Sequence, residues 1–146
     1  MSLGLSRFEE AQEQHYIQAL SELKAGFKRT HWMWFIFPQI KGLGYSEKSK
    51  YYALQSMEEA KEYLSHPVLG SRLRELCQVL LGLEGNNPTT VFGQPDDQKL
   101  QSCMTLFALA DEEDPLFTKV LDKFFDGKKD PLTEQFVKGM LVYMNS

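Results

Sequence analysis

Apolar side chains recur at helical spacing along most of the chain. Phe8, Ala11, His15, Ala19 and Leu23 form one stripe, which predicts a first helix over about residues 7 to 25. Ser6 followed by Glu9 has the form of a capping box, and Gly26 supplies the stop. The next apolar run is Trp32-Met33-Trp34-Phe35-Ile36-Phe37, closed by Pro38. Periodicity alone fits a buried strand or a buried helical turn here, and the reading adopted is a short buried helix.

Lys41-Gly42-Leu43-Gly44-Tyr45 reads as a loop, with Ser46 as the N-cap of a short helix ending near Leu54. Ser56 and Glu59 form a second capping box, opening a helix that ends before His66. Pro67 suits a first helical position, since the missing N–H costs nothing there, and that helix runs to about Leu81. Gly82 to Pro88 is a polar turn, and Thr89 to Gly93 fits a brief extended piece or a single turn.

Pro95-Asp96-Asp97 opens the most apolar helix, in which Leu100, Cys103, Met104, Leu106, Phe107, Ala108 and Leu109 cover nearly the whole circumference. Asp114-Pro115 and Asp130-Pro131 each pair an acidic cap with a proline and start two final helices separated by Gly127. No strand alternation persists. The expectation is therefore an all-α single domain spanning residues 1–146, a compact bundle of about six to seven helices, several of them short, around a buried central helix near residues 97–110.

Composition supports a packed core, with 42% hydrophobic residues and ten Phe, six Tyr and two Trp. Cys77 and Cys103 each lie in an apolar helical stretch, which predicts two buried, reduced thiols and a cytoplasmic setting. No leader pattern and no apolar run of membrane-spanning length is read, so no membrane partner is expected.

Charge changes the picture more. The chain carries −4 overall, which argues against a protein built to grip a nucleic-acid backbone. Between residues 24 and 50, however, Lys24, Lys28, Arg29, Lys41, Lys48 and Lys50 face only Glu47, a local +5. A positive field confined to one segment suits a small anion better than a duplex.

That segment holds the first candidate site. His31, Trp32, Trp34, Gln39, Lys41, Gly42, Gly44 and Ser46 combine charge, rings, an amide and a glycine loop entering a helix, where backbone N–H groups can meet an anion. The plainer reading makes the aromatics core and the glycines a turn. Phosphate motifs fail on inspection, because Gly42-Leu43-Gly44-Tyr45-Ser46-Glu47 lacks the third glycine of a dinucleotide fingerprint.

The second candidate is the start of the central helix. Lys99 sits in its first turn, against the helix dipole, where Asp96 and Asp97 are expected to offset it or an anionic ligand to use it. Ser102 and Thr105 follow, and each hydroxyl can bond the carbonyl four residues back.

The remaining chemistry is thin. His15, His31 and His66 form no single-helix metal pattern, the cysteines form no CxxC, and Asp111 to Asp114 match no EF-hand loop, so neither metal nor cofactor is expected. His31 is the best candidate acid or base, and a Cys103–histidine pair is disfavoured because burial raises a thiol's pKa.

Arg7-Phe8 with Ala11-Gln12, the string His31 to Gln39, Gly42-Leu43-Gly44, Tyr63-Leu64 with His66-Pro67, Leu69-Gly70, and Phe92-Gly93 through Asp97, Lys99-Leu100 and Thr105-Leu106-Phe107 closely resemble the family called domain of unknown function 1810. The likeness spans nearly the whole chain. It implies a compact all-α fold and transfers no catalytic residue. Members are sometimes labelled calpastatin-like; inhibitors of that kind are disordered polar chains, whereas this composition buries a core, so the label is set aside.

The functional reading that follows is a small-molecule site, enzymatic or not, for an anionic and partly planar metabolite, built where residues 31–46 meet the start of the central helix. Gly42, Gly44 and Ser46 would donate, Lys41 and Lys99 supply charge, Trp32 or Trp34 stack, and His31 or Gln39 read a polar edge. The competing reading is a protein-interaction module with both tryptophans on a convex, solvated face. Single-stranded nucleic-acid binding is a third and weaker reading, and no oligomeric state is implied.

Overall fold

The computed structural model describes the backbone of residues 4–145 and the side chains of residues 4–141. Its helices are α1 (Ser6–Lys24), α2 (Met33–Ile36), α3 (Glu47–Tyr51), α4 (Met57–Ser65), α5 (Leu69–Gly82), α6 (Pro88–Phe92), α7 (Asp96–Ala110), α8 (Leu116–Phe125) and α9 (Pro131–Asn145). Six are nine residues or longer, while α2, α3 and α6 are single turns. The all-α class expected from periodicity is observed, and Thr89 to Gly93 resolves as the helical turn α6. No described helix is long and apolar enough to cross a membrane.

Helix α7 is the centre, packed by α8, α4, α9 and α6, with its residues 102–108 all buried. Tyr63 of α4 and Phe117 of α8 meet the Phe107 ring at 5.4 and 5.7 Å between centroids. Each such side chain contributes about 1.5–3 kcal/mol by leaving water, which is why a helix apolar on all sides must sit inside. Helices α1 and α5 pack on each other, and α5 lies against both α4 and α8. Ser102 and Thr105 bond the carbonyls of Gln98 and Gln101, as the sequence predicts. Among the described residues every buried side-chain nitrogen and oxygen has a partner.

Several helix ends follow capping chemistry. Ser56 accepts from the Glu59 amide at 3.1 Å, Asp130 from the Thr133 amide at 3.0 Å, and Asp114 from Leu116 at 3.0 Å. The expected Ser6–Glu9 box does not form. Helix α1 starts one residue earlier than that box requires, with Phe8 and Glu9 amides donating to the Leu5 carbonyl, so Ser6 lies inside the helix. The Glu9 carboxylate instead meets His66 Nε2 at 3.2 Å.

Pro67 is not the first residue of α5 either. The His66 Nδ1 accepts from the amides of Val68 and Leu69, both at 3.1 Å, and α5 begins at Leu69. With Nδ1 accepting, Nε2 carries the proton that Glu9 receives. This imidazole thereby ties α1 to the α4–α5 junction. At the same junction a Cβ on Gly70 would sit 2.1 Å from the Leu64 carbonyl oxygen, so only glycine allows α4 and α5 to approach.

Candidate functional site

Two anchors place the segment that follows α1. The Glu22 carboxylate accepts from the amides of Arg29 and Thr30 at 2.7 and 3.0 Å, the Thr30 hydroxyl at 2.7 Å, Gln18 at 2.7 Å and the Trp32 indole N–H at 2.9 Å. Burial works against its charge, but these donors overcome that cost and hold the carboxyl at about 2, well below its ordinary value. Further on, Leu54 donates to the Gln39 carbonyl and Lys41 to the Leu54 carbonyl, both at 2.9 Å, in a short parallel bridge. The bridge closes residues 41–53 into one excursion carrying the glycine loop and α3.

Within that loop Gly42 has φ +106°, a conformation that favours glycine, and the Phe136 ring lies 3.4 Å from where its Cβ would be. Gly44 is required for space instead, since its Cβ would fall 2.4 Å from that of Ser49. The loop is thereby pressed against α3 on one side and brought beside α7 on the other.

The result is a cleft of about 500 Å³ between the loop, the first turns of α7 and the start of α9. Gln39, Leu43 and Gly44 form one wall. Pro95, Gln98, Lys99, Gln101 and Ser102 form another, and Asp130 with Leu132 completes it. Two stretches some fifty residues apart in sequence thus face one hollow, as the sequence reading requires.

Lys99 contacts the Asp96 carboxylate at 3.5 Å, but Asp96 also holds Lys28 at 2.9 Å, so one acid is shared by two cations. Asp97, expected to help, turns away to accept from the Thr89 hydroxyl at 2.6 Å. Asp130, whose amide donates to the Thr105 hydroxyl at 2.9 Å, uses one carboxylate oxygen for Ser102 at 3.2 Å and for Thr133.

Trp34 is half-buried beside the cleft, with the Lys99 and Lys48 ammonium groups 5.3 and 4.8 Å from its ring centroid. Trp32 lies elsewhere. It is 1% exposed, packs on Phe37 and Phe92, and is therefore core rather than a stacking surface. Trp32 therefore offers no ring to a solvated face, whereas Trp34 keeps a part-exposed one.

His31 is exposed but lines a second hollow, of about 370 Å³, with Arg7, Glu10, Gln14, His15, Phe35, Lys48, Tyr51 and Tyr52. Burial, then the neighbouring Tyr51 and Glu10, push the Tyr52 hydroxyl above its ordinary value, so it remains a neutral donor. Lys41, Gly42 and Ser46 line neither hollow. The Ser46 hydroxyl is committed to Ser49, and α3 has only five residues, too few to present a helix-end field.

Sequence reasoning missed Asp130, Gln98 and Gln101 as cleft residues. Asp130 was legible only as a cap, while the two glutamines flank Lys99 at helical spacing that places Gln98, Gln101 and Ser102 beside one another on α7. No group of three or more His, Cys, Asp or Glu among the described residues is arranged to hold a metal. Both cysteines are free and buried, and burial raises each thiol's pKa, which removes Cys103 as a nucleophile.

A family profile described as "Protein of unknown function (DUF1810)" matches residues 2–137. A search of curated proteins gives no match. Among solved structures the chain is similar to the conserved hypothetical protein Rv1873 from Mycobacterium tuberculosis, at 43% identity and a TM-score of 0.90, covering 92% of this chain and 96% of that one.

Proposed function

The chain belongs to the DUF1810 family, and from the geometry of its cleft we propose that it binds a small, partly planar metabolite bearing an anionic group, as a nucleotide does. The observation that carries the reading is the meeting of Gln39 and Gly44 with Lys99 and Ser102 around one hollow of about 500 Å³, a size within the range of small-molecule sites. Leu43, Pro95 and Leu132 offer apolar walls for a ring, in the role first given to Trp32 or Trp34, neither of which lines the cleft. The amides of Gln39, Gln98 and Gln101 supply donors and acceptors for its polar edge, and Lys99, only half neutralised by the shared Asp96, attracts the anion.

Lys41, Gly42 and Ser46 have no part in this proposal, and His31 lies outside the cleft, so the proposal is one of binding rather than catalysis. It is tested by thermal unfolding with AMP, ribose 5-phosphate and inorganic phosphate as probes. A probe at 100 times its Kd stabilises the fold by about 2.7 kcal/mol. Stabilisation by AMP that Lys99→Ala removes supports the reading. No stabilisation by any probe, or stabilisation indifferent to Lys99→Ala, overturns it.

A further inference from the structure

The two hollows have no lining residue in common, but a lysine from each reaches the same ring, that of Trp34. Lys99 lines the first and Lys48 the second, and both ammonium groups lie over the one Trp34 ring, at 5.3 and 4.8 Å from its centroid, so they are within about 10 Å of each other. Lys48 forms no ion pair with any described residue, and Asp96 serves Lys28 and Lys99 together. At the Trp34 ring two lysines therefore meet with only a share of one acid, Asp96, between them.

Away from that junction each hollow turns less cationic in the same way. The first holds the Asp130 carboxylate with three glutamine amides; the second holds the Glu10 carboxylate with the Gln14 amide, two imidazoles and two tyrosines, and its one guanidinium, that of Arg7, is paired with Glu59. Carboxylates and amides accept from sugar hydroxyls and ring amino groups, and the carboxylates repel phosphate, whereas the central lysines attract it. Rings also flank the second hollow, where His15 lies 5.3 Å from Phe35 and Tyr51 packs edge-on against Tyr52 at 4.8 Å.

We propose that the two hollows are halves of one site, and that its ligand is a two-lobed small molecule in which two ring-bearing or sugar groups are joined through a diphosphate lying between Lys48 and Lys99 over Trp34. A diphosphate diester carries two negative charges near neutral pH, one for each of the two lysines at Trp34. This inference rests on the nucleotide-like reading of the first cleft and extends it to the second, where His31 and His15 read a polar edge.

Isothermal titration of the full chain with AMP and with diadenosine diphosphate tests it. Joining two weakly held groups commonly raises affinity about 10²–10⁴-fold when geometry allows both to engage. The expected result is that the diphosphate binds at least about tenfold tighter than AMP. Lys48→Ala and His31→Gln, both at exposed positions, should each abolish that advantage while leaving AMP affinity unchanged. A diphosphate no tighter than AMP, or an advantage that survives Lys48→Ala, overturns the inference. If AMP still binds and Lys99→Ala still weakens it, the first cleft stands alone; if neither compound binds, both readings fall. Tighter binding of adenylyl-adenosine, a phosphodiester without the second phosphate, would overturn the inference in favour of single-stranded nucleic acid.

Discussion

Glu22→Gln tests how the site segment is held. The substitution keeps one oxygen for the amides of Arg29 and Thr30 and for the Trp32 indole, and replaces the other with an NH2 group. That NH2 would face Gln18 and the Thr30 hydroxyl, which both donate to the carboxylate, each at 2.7 Å. Hydrogen bonds to a charged group contribute about 1.5–3 kcal/mol, against about 1 for neutral ones. Two bonds are lost and three weakened, and partial relaxation of Gln18 and Thr30 leaves an expected cost of about 2–4 kcal/mol.

The pH dependence gives an independent signature. The folded carboxyl titrates at about 2 against an ordinary 4.5, so its contribution is complete above about pH 4.5 and is lost as pH falls toward about 2. Urea unfolding of both proteins should show a constant gap near neutral pH that narrows below about pH 4.5, because only the wild type loses this contribution. A cost below about 0.5 kcal/mol, or a gap unchanged down to about pH 3, would refute the claim that this carboxylate anchors the segment.

Gly70→Ala should destabilise by about 1–3 kcal/mol in chemical unfolding, because the added methyl meets the Leu64 carbonyl; an unchanged midpoint would show that the α4–α5 junction yields freely. Lys123 donates to the carbonyls of Leu80 at 2.9 Å, Leu81 at 3.0 Å and also Leu83, closing the end of α5, so Lys123→Met should cost about 1–3 kcal/mol, read the same way. Cys77 and Cys103 should react with a thiol reagent only at the rate of global unfolding, and rapid labelling of the native protein would contradict their burial.

The fold was legible because its strongest signals are local. The apolar circumference of α7 can only be central, and the Asp130 and Ser56 caps are fixed by side-chain chemistry within a turn. The His66 cap was not legible, since histidine earns that role only when a neighbouring helix brings a partner such as Glu9. Trp32 and Trp34 sit two residues apart in one apolar run, and nothing local distinguishes them. Their fates differ because Glu22, ten residues earlier, takes the indole N–H of Trp32 and draws it into the core.

The same limit applied to the site. Gln39, Gly44, Lys99 and Ser102 converge as the sequence suggested, but Lys41, Gly42 and Ser46 do not line the cleft, since Gly42 faces Phe136 of α9 and Ser46 caps α3. Asp130 escaped notice because one oxygen satisfies a capping role visible in sequence, while its place at the cleft depends on how α9 docks against α7.

The central claim is that the hollow between the 39–44 loop and α7 accepts a ligand. The most direct measurement is a titration of the isotopically labelled protein with AMP, followed by backbone amide chemical shifts. Saturable shifts centred on Gln39, Gly44, Lys99 and Ser102 are the expected result. Shifts that are absent, or that cluster on a face remote from those four residues, would contradict it.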